Sequence, residues 1–209
     1  MATCPLCTAR AAKRYCPATR TSICSVCCGT KREVEIDCPS DCVFLKSGRS
    51  YEAEKRTFSP ESVSSITRFD EAFFYQYGSV ILSIYKEVVE ERASQPAMRD
   101  LDVLEVYKAL GTTMKTLSSG LFYESLPQGG PHQTVLFRLL RDFMDTQMNP
   151  QTPEHRALRF PEAADIIEFL AASAAINTGN RPKSRKYLDW LTEMTVENAP
   201  KEKNRIILP

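Results

Sequence analysis

The sequence predicts a mainly α protein: a small cysteine-rich module at the N-terminus, followed by an all-α bundle of about five helices. Three observations carry this expectation. All eight cysteines fall within the first 42 of 209 residues. From about residue 60 onward, apolar residues recur at three- and four-residue steps, the spacing of one helical face. No stretch beyond residue 60 reads as strand hairpins, and no strand–helix–strand succession occurs.

The cysteines Cys4, Cys7, Cys16, Cys24, Cys27, Cys28, Cys38 and Cys42 are arranged as C-x2-C, a lone cysteine, C-x2-C-C and C-x3-C. The opening MATCPLCTAR lacks the apolar stretch of an export signal, and nowhere do about 18 apolar residues run together. The expectation is a cytoplasmic protein. There thiols stay reduced, and dense C-x-x-C spacing reads as a metal site rather than a disulfide framework. Thiolates in fours suit tetrahedral Zn²⁺.

Eight cysteines make two such sets, and their order suggests a cross-brace in which alternate pairs share an ion. Cys4 and Cys7 would join Cys24 and either Cys27 or Cys28. Cys16 would join the other of that pair, with Cys38 and Cys42. Adjacent side chains on extended backbone point opposite ways, which would let Cys27 and Cys28 serve different ions. Cys38 and Cys42, at i and i+4, would share one face of a helical turn capped by Ser40 or Asp41. Thr19 and Arg20 stand where a partner for Cys16 would complete a regular pair, so one well-made site beside a degenerate second is the alternative. In either form the zinc would be structural. The module holds no histidine, and about 45 residues cannot bury a sufficient core unaided.

CPLC, RYCPA, ICSVCC and IDCPSDC together resemble the small cross-brace zinc fingers of the HIT, MYND and B-box kinds, the HIT type most. The module departs from that type in lacking a partner for Cys16 and in carrying cysteine where a late histidine is usual. The run from Ile23 to Leu45 is also similar to the N-terminal finger of a group of bacterial proteins with helical C-terminal regions and no established activity. The resemblance implies an interaction module rather than a catalyst, with another protein as partner.

Net charge is +1, which supplies no global field toward nucleic acid or an acidic membrane. Residues 1–50 hold eight Lys/Arg and four acids, and eight thiolates on two Zn²⁺ would bring that excess near zero. Arg10, Lys13 and Arg14, with Lys31 and Arg32, could still form a local patch. That keeps a nucleic-acid-binding regulatory protein as the alternative function. The plainer expectation is that these cations are solvated and neutralise the thiolates through N–H···S contacts.

Domain organisation follows as residues 1–45 for the metal module, 46–60 for a polar linker or fraying helix, 61–198 for the helical domain and 199–209 for a tail. The first long helix opens at a Ser59–Pro60–Glu61 cap. It carries Phe69, Phe73, Tyr77, Val80, Ile84 and Val88 on one stripe, with Phe74, Ile81 and Tyr85 widening it. A helix over about 99–124 follows, with Gly111 and Gly120 weakening its continuity. LPQGGP at 126–131 is a loop, and 132–147 is a third helix. After a second proline-rich loop at 149–162, two helices meet at Gly179–Pro182, a pair similar to a tetratricopeptide-type hairpin without its repeat.

Motifs for phosphate cradles and nucleophile elbows do not occur. His132 and His155 sit beside prolines and read as surface or capping residues. Asp165 and Glu168, at i and i+3, read as a solvated face, the aromatic stripe as core, and Trp190 as an anchor between the last helices. The expectation is a non-enzymatic protein; a helical domain that binds a small ligand or catalyses is the third reading.

Overall fold

A computed structural model of the chain describes residues 2–55, 66–150, 156–178 and 181–197. Among these residues the fold is mainly helical, with one two-stranded sheet. Strands β1 (Arg14–Cys16) and β2 (Thr21–Ile23) pair antiparallel, Arg14 opposite Ile23, Tyr15 opposite Ser22 and Cys16 opposite Thr21. Two short helices complete the N-terminal finger, α1 (Ser25–Lys31) and α2 (Val43–Glu54). The stretch read as linker or fraying helix is therefore α2 as far as Glu54. The Ser59–Glu61 cap, His155, the 179–180 turn and the tail lie outside the described residues.

Five helices form the bundle: α3 (Glu71–Ser94), α4 (Asp100–Ser118), α5 (Pro131–Met148), α6 (Phe160–Thr178) and α7 (Lys186–Glu197). Their ends follow local chemistry. Asp70 caps α3, its carboxylate accepting from Phe73 N at 2.9 Å, so this helix starts after Phe69. Phe69 instead lies back on Phe73 and Phe169, with ring centroids 4.6 and 5.4 Å away. Helix α4 stops six residues earlier than the spacing suggests, because Gly120 takes φ +80. Gly120 N–H then reaches Leu117 O and Leu121 N–H reaches Thr116 O, the paired bonds of a Schellman end. Gly111, in contrast, sits inside α4. There it lets α6 come close: a Cβ on it would lie 3.4 Å from Ile167 Cγ2.

Two cores result. The bundle core is hydrocarbon and aromatic, with Ile84, Val88, Val106, Leu110, Met114, Leu136, Leu140, Ile166, Ile167 and Leu170 all sealed from solvent. Trp190 packs on Tyr85 and Tyr187, with centroids 5.7 and 5.8 Å away, and so ties α7 to α3. The finger core is Cys4, Cys16, Cys24 and Cys27 with the aliphatics Ile23 and Ile36, and Leu45 of α2 is buried beside the second cavity.

The finger docks on one end of the bundle through residues 33–52. Glu33, buried, accepts from Arg49 at 2.5 Å and from Arg181 at 3.3 Å. Asp37 accepts from Arg99 at 2.7 Å and Arg185 at 2.8 Å. Asp189 of α7 collects Arg49, Arg92 and the Ser40 hydroxyl at 2.7, 2.5 and 2.9 Å. Lys183 N–H adds a backbone bond to Glu33 O at 2.8 Å. Beneath this seam the buried Asp100 carboxylate accepts from Ser184 Oγ and from the N–H groups of Tyr187 and Leu188, capping α7 from α4.

Candidate metal centre

Four of the eight cysteines converge. Cys4 and Cys7 sit on one tight loop, closed by Thr8 N–H to Cys4 O at 2.8 Å and fixed to the next segment by Cys4 N–H to Arg10 O at 2.8 Å. Cys24 is the N-cap of α1 and Cys27 lies in its first turn, so the Cys27 N–H donates to Cys24 Sγ at 3.3 Å. The β1–β2 hairpin carries the chain from the first loop to the second. The four Sγ atoms all lie within 4.8 Å of one another, and Cys7 and Cys24 are 3.9 Å apart. A tetrahedral ion with metal–sulfur bonds of about 2.3 Å needs sulfurs about 3.8 Å apart. The donor set and the spacing both fit a tetrathiolate metal ion.

The thiols respond to this crowding in opposite directions. Backbone N–H groups, that of Ala9 foremost, hold Cys7 down at about 6. Burial, then the hydrogen bonds and charge of its neighbours, pushes Cys27 up to about 12. Burial opposes ionisation of Cys4, yet N–H groups of Cys24 and Leu6 bring it below its ordinary value. A cation among the four sulfurs removes the mutual repulsion that keeps protons on such a cluster.

The structure assigns Cys27, not Cys28, to this set. Both lie on α1 rather than on extended backbone, and they diverge because successive helical residues turn by about 100°. Cys28 turns toward a second, small cavity of about 10 Å³, which it lines together with Cys16, Cys38 and Cys42. These four are the second set read from the spacing. Among the described residues only the first set meets the 4.8 Å separation. Cys38 and Cys42 do not share a helical turn. Pro39 O accepts from Cys42 N at 3.0 Å in a tight turn, Cys42 is the N-cap of α2, and the Ser40 hydroxyl serves Asp189 instead of capping. Burial raises the Cys38 thiol above its ordinary value.

Arg32 is one of the cations expected to neutralise the thiolates, but its seat against Gly48 escaped the sequence reading. Arg32 lines the second cavity and donates to Phe44 O at 3.3 Å, lying across α2 at Gly48, where a Cβ would meet its guanidinium at 1.3 Å. A glycine inside an otherwise unremarked helix was the available signal. The Arg32 Nε is buried with no hydrogen-bond partner among the described residues, beside four thiols. Arg10, Lys13 and Arg14 donate to no sulfur, and Arg14 stacks over the Phe44 ring at 4.7 Å instead. The thiolate-neutralising role expected of the early cations belongs by position to Arg32.

The remaining candidates fall in place without chemistry. His132 Nε2 lies 3.2 Å from Asp102, at the start of α5. Glu168 is paired with Arg68 and Lys115 at 3.0 and 2.9 Å, and Asp165 is exposed. An open groove of about 1230 Å³ follows the finger–bundle seam, but its arginines Arg49, Arg92 and Arg185 are committed to Asp189 and Asp37. No helix among the described residues is long and apolar enough to cross a membrane. The chain matches no protein-family model, no curated protein and no solved structure.

Proposed function

We propose that the chain is a zinc-binding adaptor, a non-catalytic interaction protein whose finger is held in shape by structural zinc. The observation that carries this is the gathering of Cys4, Cys7, Cys24 and Cys27 Sγ within 4.8 Å. Four thiolates fill a tetrahedral shell and leave no position for water or substrate, the arrangement of a structural centre. Cys16, Cys28, Cys38 and Cys42 hold a second zinc in the cross-brace order, with Arg32 answering its charge. The cysteines are all free thiols, a state that suits the reducing cytoplasm.

A protein partner is supported by the 119–130 loop at the end of α4. Thr113 Oγ and Ser125 N are bonded at 2.9 Å and Arg141 binds Glu124 at 3.1 Å, so the loop is held while Leu121, Phe122, Tyr123 and Leu126 face solvent, Phe122 at 96% exposure. Exposed apolar patches of this kind mark contact sites.

The test is elemental analysis of the intact protein purified without added chelator. The expected result is two zinc ions per chain, falling to one in Cys28→Ser. One zinc in the wild type would confine the reading to the first set, and none would overturn it.

A further inference from the structure

The cysteine module is near neutral as a count, yet its charges are not mixed in space. The first 32 residues contain six Lys/Arg and no carboxylate. The acids that balance them begin at Glu33, and three of these are spent at the seam: Glu33, Asp37 and Glu52 bind arginines of the bundle. Glu35 is taken by Lys31. Arg10, Lys13, Arg14 and Arg20 have no ion-pair partner among the described residues. Docking therefore turns the acidic side of the finger inward and leaves a basic one outward.

An aromatic lies among these cations. Tyr15, on β1, is 61% exposed. Pleat alternation puts it on the same face as Lys13, opposite Ser22, while Arg14 and Cys16 take the other face and Cys16 is buried. Arg20 stands at the hairpin tip with φ 53. Arg14 stays on the inner side, where it stacks on Phe44 at 4.7 Å, and so lies apart from this face. The charge of the thiolates lies beneath this face, met by the Cys27 N–H and by Arg32.

We infer that the outer face of the β1–β2 hairpin binds single-stranded nucleic acid, with Tyr15 stacking a base and Arg10, Lys13 and Arg20 meeting phosphates. The composition is that of a single-strand site: a cationic track beside an aromatic platform whose stacking every base accepts. Strands of three residues, about 10 Å long, are too short to fill a duplex groove, whereas a splayed base needs only one ring. The inference rests on the zinc reading, because the hairpin is held between the two cysteine sets. It gives the adaptor its second contact, distinct from the 119–130 loop.

The test is fluorescence anisotropy of labelled 15-nucleotide oligo-dT and oligo-U with the full-length zinc-loaded protein, at salt from about 50 to 200 mM, zinc being quantified in each sample. Binding is expected in the micromolar range at the lowest salt, with a log–log salt slope near −2, the value for about three phosphate contacts on a single strand. Tyr15→Ala is expected to weaken binding about tenfold and Tyr15→Phe to retain it. The double variant Lys13→Glu, Arg20→Glu is expected to abolish it while keeping its zinc. Absence of binding by zinc-loaded protein would overturn the inference and leave the zinc reading standing; protein without zinc would overturn both. Equal competition by polyglutamate, or no effect of Tyr15→Ala, would also overturn it, making the face a site for acidic proteins.

Discussion

The finger and the bundle solve the same problem with different materials. The bundle closes over dozens of apolar side chains on the five helices of the described residues, and such a core is stabilised by removing hydrocarbon and rings from water. The finger has three buried aliphatics, Ile23, Ile36 and Leu45, and two strands of three residues. Its elements are too short to persist alone. What the proposed function supplies in their place is a metal ion on Cys4, Cys7, Cys24 and Cys27, whose sulfurs converge. The contrast teaches that the seam joins a region with little hydrocarbon core of its own to one that has a large one. The ion pairs of Glu33, Asp37 and Asp189 join the proposed metal-dependent part to the bundle.

Chelation is the strongest way to break that comparison. Structural zinc contributes about 10–16 kcal/mol in small fingers, more than the net stability of most domains. A strong chelator should therefore expose the amides of residues 2–55 to hydrogen exchange while those of α4 and α6 stay protected. Simultaneous loss of protection in both would show that the bundle depends on the finger.

Leu170→Ala strikes the other side. Leu170 is sealed in α6, and the truncation should cost about 2–5 kcal/mol in denaturant unfolding. The zinc content of the folded protein should be unchanged. Asp189→Ala addresses the junction. It removes the acceptor shared by Arg49, Arg92 and Ser40 and should lower stability by about 2 kcal/mol. Faster exchange should be confined to residues 33–52 and the start of α7.

The smallest effect is a pH dependence within the bundle. Glu162 accepts from the Arg159 side chain and N–H and from Arg156, and the Arg159 bond foremost holds its carboxyl down at about 2. A carboxyl depressed in the folded state stabilises above its unfolded value of about 4.5 and loses that contribution as pH falls toward 2. Wild type should lose about 1–2 kcal/mol over that window relative to Glu162→Gln, read from urea midpoints at each pH.

The two regions also differed in how much of them could be read beforehand. Periodicity revealed the five bundle helices because each buries one stripe, and Asp70 and Gly120 displaced the boundaries through cap chemistry that periodicity does not weigh. In the finger, spacing put Cys4, Cys7 and Cys24 in one set, yet it left Cys27 and Cys28 interchangeable. Their assignment depends on α1 being a helix, which a seven-residue stretch with three β-branched or glycine residues does not announce. The seam was beyond reach for a different reason. Asp37 and Arg185 are 148 residues apart, and nothing local in either says which distant charge it meets. The local basic patch of the finger was legible as a possibility, but the sequence did not show that Glu33, Asp37 and Glu52 are paired away from it at the seam.

The central claim is that sulfur alone surrounds the metal. X-ray absorption at the zinc edge of the intact protein measures this directly. The account predicts four sulfur scatterers per zinc at about 2.3 Å. Nitrogen or oxygen in the first shell, or sulfurs bonded to each other with no zinc between them, would contradict it.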